Sequence, residues 1–354
     1  MKRILLLLCI ISAIISSKAE TKFEVDNLYY SLNADNSATL VAPPKEENKY
    51  KGDIVIPSTV KYKGKNYTVT EIGASAFFRR INLTSIEIPN SVTSIGVNAF
   101  YGCSGLTSIE IPNSVTSIEE YAFSRCNNLM CIEIPSSVTS IGEYALEGCI
   151  GLISVRIPNS ITSIETGTFS CCSSLISINI PNSVTSIGEH AFSGCISMEN
   201  IKVGSDNPVY ASHDGILYTK NMDTLICCPP GRKGFVVIPD SVKDIGDRAF
   251  SECEDLIRIE IPSSVTSIGA FAFSGCKGLR SIHIPDSVTI IEKGAFCDCS
   301  GLTCVEIPES VTMIGQGAFR RCSNLTSATI PARFMSEKDD IFEKCPNLTD
   351  IKAI

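Results

Sequence analysis

Cysteine is the reactive side chain this 354-residue chain holds in quantity, with 17 copies. Cys103, Cys126, Cys149, Cys172 and Cys195 fall 23 residues apart, as do Cys253, Cys276, Cys299, Cys322 and Cys345. In an exported chain so many cysteines first suggest disulfides. The strict period suggests otherwise. Stacked coils would set these thiols in one column, ~4.8 Å apart and pointing the same way. A disulfide needs Cβ atoms about 3.8 Å apart on converging side chains. The expectation is a ladder of buried free thiols packing as small hydrophobes, with bridges between successive coils as the alternative. Cys131 and Cys304 stand in another register and are expected to be exposed, as replacements for serine or as partners in intermolecular disulfides. Cys297-Asp-Cys299, Cys171-Cys172 and Cys227-Cys228 lack a matching second half at zinc-ligand spacing, so no metal site is read.

Other chemistry is sparse. There are three histidines, His190, His213 and His283, and no tryptophan. No Ser/His/Asp or Cys/His set assembles from neighbouring repeat positions, so no catalytic residue and no cofactor is expected. A charged column is the better candidate for function. Glu87, Glu110, Glu133, Arg156, Asn179 and Lys202 recur between two inward-pointing aliphatics, followed further on by Glu260, His283 and Glu306. Beside them runs a column that is mostly serine, including Ser85, Ser108, Ser154 and Ser177. Stacked glutamates repel modestly. The column is either a solvated strand surface or an acidic strip that meets a basic partner or a cation.

These residues are positioned by a 23-residue repeat, L-x-x-I-x-I-P-x-S-V-T-S-I-G-x-x-A-F-x-x-C-x-x. Its Ile-Pro pair falls at 88/89, 111/112, 134/135, 157/158 and 180/181, then from 238/239 to 330/331. Such a period means stacked coils that touch only their neighbours, a β-rich solenoid. Leu106, Ile109 and Ile111 mark a first short strand with alternate residues inward. Proline then removes a backbone donor and ends the pairing. Val115 to Ile118 read as a second strand on another face. Gly96, Gly142, Gly188, Gly246, Gly269 and Gly315 follow it, where a positive φ is expected to be favoured, although Glu119, Glu165 and Glu292 take the same place. Phenylalanine fills the interior from Phe77 to Phe342, with Leu146 as the exception, and should form an aromatic spine.

Two coils are longer, at residues 56–88 and 203–238. The first carries a hairpin turning at Gly64, and the second carries strands at 215–219 and 224–228. Residues 20–53 read as an N-terminal β cap and 54–354 as the solenoid. Residues 1–19 read as a secretory signal: Lys2 and Arg3, an apolar run from Ile4 to Ile15, then Ser17-Lys18-Ala19 at the cut. That run is too short to span a bilayer, and no later stretch is long enough. Loss of Lys2, Arg3 and Lys18 takes the formal net charge from −8 to −11, which argues against nucleic acid or an anionic membrane as partner.

The recurring string I-P-x-S-V-T-S-I-G-x-x-A-F-x-G-C resembles the BspA-like leucine-rich repeat family of bacterial surface and secreted proteins. The segments Asn207–Tyr210, Asp214–Tyr218 and Pro229–Gly231 are similar to an element of that family. The resemblance implies a leucine-rich repeat array and a non-catalytic adhesive role toward a host extracellular protein, a surface glycan or another cell surface. From the residues themselves, an exported monomer that binds a large partner is expected, with an envelope spacer lacking a specific ligand as the alternative.

Overall fold

A computed structural model describes residues 22–44 and 50–354. The proposed secretory signal lies outside the described residues. The chain winds into a β-solenoid in which each coil pairs in parallel and in register with the coil 23 residues on. Second strands such as Ser94–Ile95, Ser117–Ile118 and Ser140–Ile141 form one ladder. First strands such as Ser108–Glu110, Cys131–Glu133 and Ser154–Arg156 form another. The second strand is only two residues long, Ser117–Ile118, rather than running from Val115. The first-strand ladder skips the coil around His283, although Ile282 and Ile284 still point inward there.

The interior is built from repeated contacts. Phe77, Phe100 and Phe123 stack with centroids 5.1 and 5.2 Å apart and planes 2° from parallel. The stack resumes from Phe250 through Phe342. Tyr50, fully buried, tilts against Phe77 and closes the first end. Serine and threonine tie the coils together. Ser137 Oγ donates to the Val115 carbonyl at 2.7 Å, and Ser264 Oγ does the same to Val242. Thr116 takes the Thr93 carbonyl with both its amide and its hydroxyl. Where serine is missing, another donor replaces it. Buried Asn207 donates to Pro181 and Val184, and Arg333 donates to the Val311 carbonyl at 2.8 Å.

The expected positive φ at the turn glycines is not observed. The left-handed residues come two and six positions later. Asn98, Tyr121, Tyr144, His190, Arg248 and Phe271 have φ between 54° and 57°, and Arg79, Gly102, Arg125, Gly148, Cys171 and Gly194 make a second set. Glycine is needed at the turn for proximity instead. A Cβ at Gly96, Gly142, Gly188, Gly269 or Gly315 would lie 2.2–2.9 Å from a backbone nitrogen of the preceding coil. Each of Glu119, Glu165 and Glu292 sits between two glycine-bearing coils.

Strands Phe23–Val25, Leu28–Leu32 and Ser37–Val41 form an antiparallel meander whose last strand pairs in parallel with Lys65–Ile72. Thr59–Tyr62 and Lys65–Ile72 make the first hairpin, turning through Lys63 and Gly64, both at positive φ. The second long coil carries three strands rather than two. Tyr210–His213 pairs with Ile216–Thr219, which pairs with Thr224–Cys227. At the far end a short helix, Lys338–Ile341, buries Ile341 and leads into Phe342, which ends the stack.

Because each coil is held by its neighbours, damage should stay local. Phe169, only 1% exposed, is expected to cost about 3–5 kcal/mol on replacement by alanine. Hydrogen exchange in Phe169→Ala should quicken in the adjoining coils and remain near wild type around Phe296. A uniform rise over the whole array would contradict this.

Candidate functional site

The first strand presents its outward side chains at fixed height. Glu110 pairs with Glu133, and Glu133 with Arg156, directly across the parallel ladder. Asn179 pairs with Lys202 and Glu306 with Thr329. Glu87 and Glu260 instead neighbour Val55 and Val237, which are 63% and 56% exposed. All nine residues of the charged column are exposed. The structure brings Glu110, Glu133 and Arg156 together as ladder neighbours. The three strands of the second long coil, Tyr210–His213, Ile216–Thr219 and Thr224–Cys227, separate the Glu87–Lys202 part of the column in sequence from Glu260, His283 and Glu306.

The face is grooved rather than flat. One hollow of about 700 Å³ is lined by Glu110, Glu133, Arg156, Asn113 and Asn159. A second, of about 660 Å³, is lined by Asp53, Glu87, Glu110, Asn90 and Asn113. The side walls come from the turn after each proline. Asp53 accepts hydrogen bonds from Ser85 and Thr84 at 2.7 and 2.9 Å, which hold its carboxyl below the usual carboxylate range.

Sequence reasoning missed an exposed apolar column that precedes the serine column on the same coils. Met130, Ile153 and Ile176 stand on three successive coils and are 52%, 47% and 50% exposed. They are joined through their backbones, Ile153 N–H to Met130 and Ile176 N–H to Ile153. Each follows the buried leucine position, where Thr84, Thr107, Thr303 and Thr326 stand on other coils. The signal was therefore an aliphatic in a threonine column. Three large exposed apolar side chains in a row mark an interaction surface more often than scattered ones do.

The cysteine column lies inside. Every cysteine among the described residues is a free thiol, and Cys103 through Cys322 of the 23-residue series are buried. They do more than pack. Cys126 Sγ donates to the Phe100 carbonyl at 3.2 Å and Cys149 Sγ to the Phe123 carbonyl at 3.1 Å. The same Phe100 oxygen accepts the Cys103 amide, so the thiol fills its second lone pair. Burial pushes these thiols up: Cys103 rises from an ordinary 9.0 to about 12, and Cys126 and Cys149 are likewise raised well above 9.0. Such thiols are poor nucleophiles. Cys131 and Cys304 are exposed, as is Cys171.

A β-solenoid of 23-residue coils with one exposed, in-register strand face defines a leucine-rich repeat protein. The chain belongs to the BspA type leucine rich repeat region family, whose pattern matches residues 70–199 and 234–349 in six copies. It is similar to a leucine rich cell surface protein of Faecalibacterium prausnitzii A2-165, with 30% identity over 96% of each chain and a TM-score of 0.74. It shares its fold with the pneumococcal vaccine antigen PcpA, at 24% identity over 96% of this chain and 86% of that one, with a TM-score of 0.76. A leucine-rich repeat protein from Bacteroides ovatus ATCC 8483 covers 93% of this chain at 25% identity, with a TM-score of 0.54. No curated protein matches the chain. Among the described residues no helix is long and apolar enough to cross a membrane.

Two measurements follow from the thiols. Native-state alkylation with mass mapping should label Cys131, Cys171 and Cys304 well before Cys126 or Cys149, and finding Cys126 bridged to Cys149 would refute the ladder. The second is alkaline sensitivity. A thiol raised in the folded state stabilises it fully below its unfolded value, and that contribution is lost as pH climbs through the folded one. Melting temperature under reducing conditions should therefore hold below pH 9 and fall between 9 and 12. The fall should be shallower in Cys126→Ala.

Proposed function

We propose that the chain is an exported, non-catalytic adhesion protein whose first-strand face docks a protein or glycan outside the cytoplasm. The observation that carries this reading is the pairing of two exposed columns on one grooved face. The charged column from Glu87 to Arg156 lines the grooves, and the apolar column of Met130, Ile153 and Ile176 is exposed on the other side of the serine column. Exposed apolar side chains on the same coils as charged ones are a combination found at protein-docking surfaces. The acidic start of the column favours a basic patch on the partner. The interior is consumed by packing and by thiol-to-carbonyl bonds, which leaves function to the surface. Likeness to a bacterial cell surface protein supports a location at or beyond the cell surface, as does the basic and apolar pattern of residues 1–19. In this reading the protein acts as a monomer, without cofactor or metal.

The rival reading is an envelope spacer without a specific ligand. Reversal of Glu87, Glu110 and Glu133 to lysine separates the two. An adhesin should lose at least tenfold in affinity for matrix proteins or glycans that bind the mature chain, together with much of the salt dependence of that binding. The fold should survive, because all three side chains are exposed. A spacer would show no ligand to lose. Deletion of the 215–228 hairpin on the same assay tests the long coil as an alternative docking site.

A further inference from the structure

The main-chain ladder is interrupted at one place inside the array, on the face that follows the second strand. In a regular coil this face runs from Ile118 to Phe123, five positions on. In the second long coil Leu225 takes the isoleucine place, because it accepts the Gly246 amide as Ile118 accepts that of Gly142. Cys228 takes the phenylalanine place, only three positions later, and its amide donates to the Ala249 carbonyl at 2.6 Å. The shortened arc does not fill its layer. A cleft of about 410 Å³ opens between the coil carrying His190 and Phe192 and the coil carrying Asp247 and Ser251, floored by Leu217 and Cys227.

The cleft walls are unfinished ladder. On the preceding coil, Gly167, Phe169 and Cys171 donate their amides to Glu189, Ala191 and Ser193. On the following side, Arg248, Phe250 and Glu252 donate to Ala270, Ala272 and Ser274. Between them, the matching amides of His190 and Phe192 have no hydrogen-bond partner among the described residues, nor do the carbonyls of Asp247 and Ser251. The third amide of the row, at Gly194, is taken by the Glu252 carboxylate, which reaches across from the far wall at 2.7 Å. An acceptor oxygen has thus settled on the one donor that a side chain of the far wall reaches.

The donors sit at alternate residues, 190, 192 and 194, so they ask for acceptors at the period of an extended chain. An extended polypeptide offers carbonyls and amides at that period and adds itself to open edges in this way. The floor is apolar. The rim carries both signs of charge, Arg248 against Glu189 and Asp247, so it does not call for an occupant of one strong charge. A volume of this size falls within the range of about 300–1,000 Å³ typical of ligand pockets. We propose that the cleft captures a short, extended, uncharged segment of a partner polypeptide, which completes the interrupted main-chain ladder. The site lies on a different face from the charged column and stands independently of it.

Selection of random heptapeptides displayed on phage against the full chain tests this. Synthetic copies of the selected peptides should bind the wild-type chain and slow amide exchange at residues 190–194, where exchange in the free chain should be faster than at Phe169 or Phe250. Ser251→Trp, which fills the cleft from one wall, should weaken binding at least tenfold. Ser193→Trp does so from the other wall, and melting curves identify whichever variant keeps the fold. Glu252→Asn, which suits the left-handed backbone there (φ 65°), should free the Gly194 amide and tighten binding several-fold. The triple lysine variant of the charged column should bind these peptides normally, so failure of the adhesion reading and failure of this one are distinguishable. The proposal is overturned if no peptide is selected, if the selected peptides ignore all the cleft variants, or if the His190 and Phe192 amides are already protected in the free chain.

Discussion

The structure depends on one constraint: each coil must give its main-chain hydrogen bonds to the coil 23 residues away. A solitary coil has too few residues to bury its own phenylalanine and aliphatics, and its backbone has nothing to pair with. Stacking answers both needs together. It also favours a constant coil length, and a longer coil, such as the one in which Val55 pairs with Glu87, must loop its extra residues out of the ladder. The parallel pairs Ser94 to Ser117 to Ser140 hold only while 23 residues separate them. The left-handed residues two and six places after the turn glycine serve the same end. They bend the arc so that alternate amides, such as those of Asn98, Phe100 and Gly102, point at the next coil.

Recurrence also settles the polar groups that a β-solenoid traps inside. The phenylalanine carbonyl turns inward, accepts its own coil's cysteine amide, and has a lone pair left over. The thiol of the next coil fills it. Cysteine suits that slot because it is small enough for the packed column and still a weak donor. The serine of the Ser-Val-Thr-Ser segment does a related job for the valine carbonyl. Asn207 and Arg333 do it where the repeat departs from its pattern, with longer side chains than serine.

Function falls to what the stacking leaves over. The first-strand face is one remainder, since every second side chain on it points away from the core. The long coil is the other. It keeps the ladder at Leu225 and Cys228 but cuts the arc short, so amides and carbonyls that stacking would consume are left facing a cleft. The repeat thus supplies a regular surface and one deliberate gap, and the two are suited to different kinds of contact: side chains on the face, main chain in the gap.

The sequence by itself determined the solenoid, the inward and outward columns and the free-thiol ladder, because a side chain's place in a strict repeat follows from its position in the period. The exposed column from Glu87 to Glu306 and the aromatic spine with its break at Leu146 were legible for that reason. What only the tertiary structure decided lies between coils. The turn glycines looked like positive-φ positions, but they are there because the backbone of the preceding coil comes within about 3 Å of where a Cβ would sit. The thiols looked like small hydrophobes and turned out to be hydrogen-bond donors to a carbonyl 26 residues earlier. The third strand at Tyr210–His213 and the cleft beside His190 depend on how an irregular coil meets regular ones. No periodicity describes that meeting, since it is set by the path the backbone takes to rejoin the ladder.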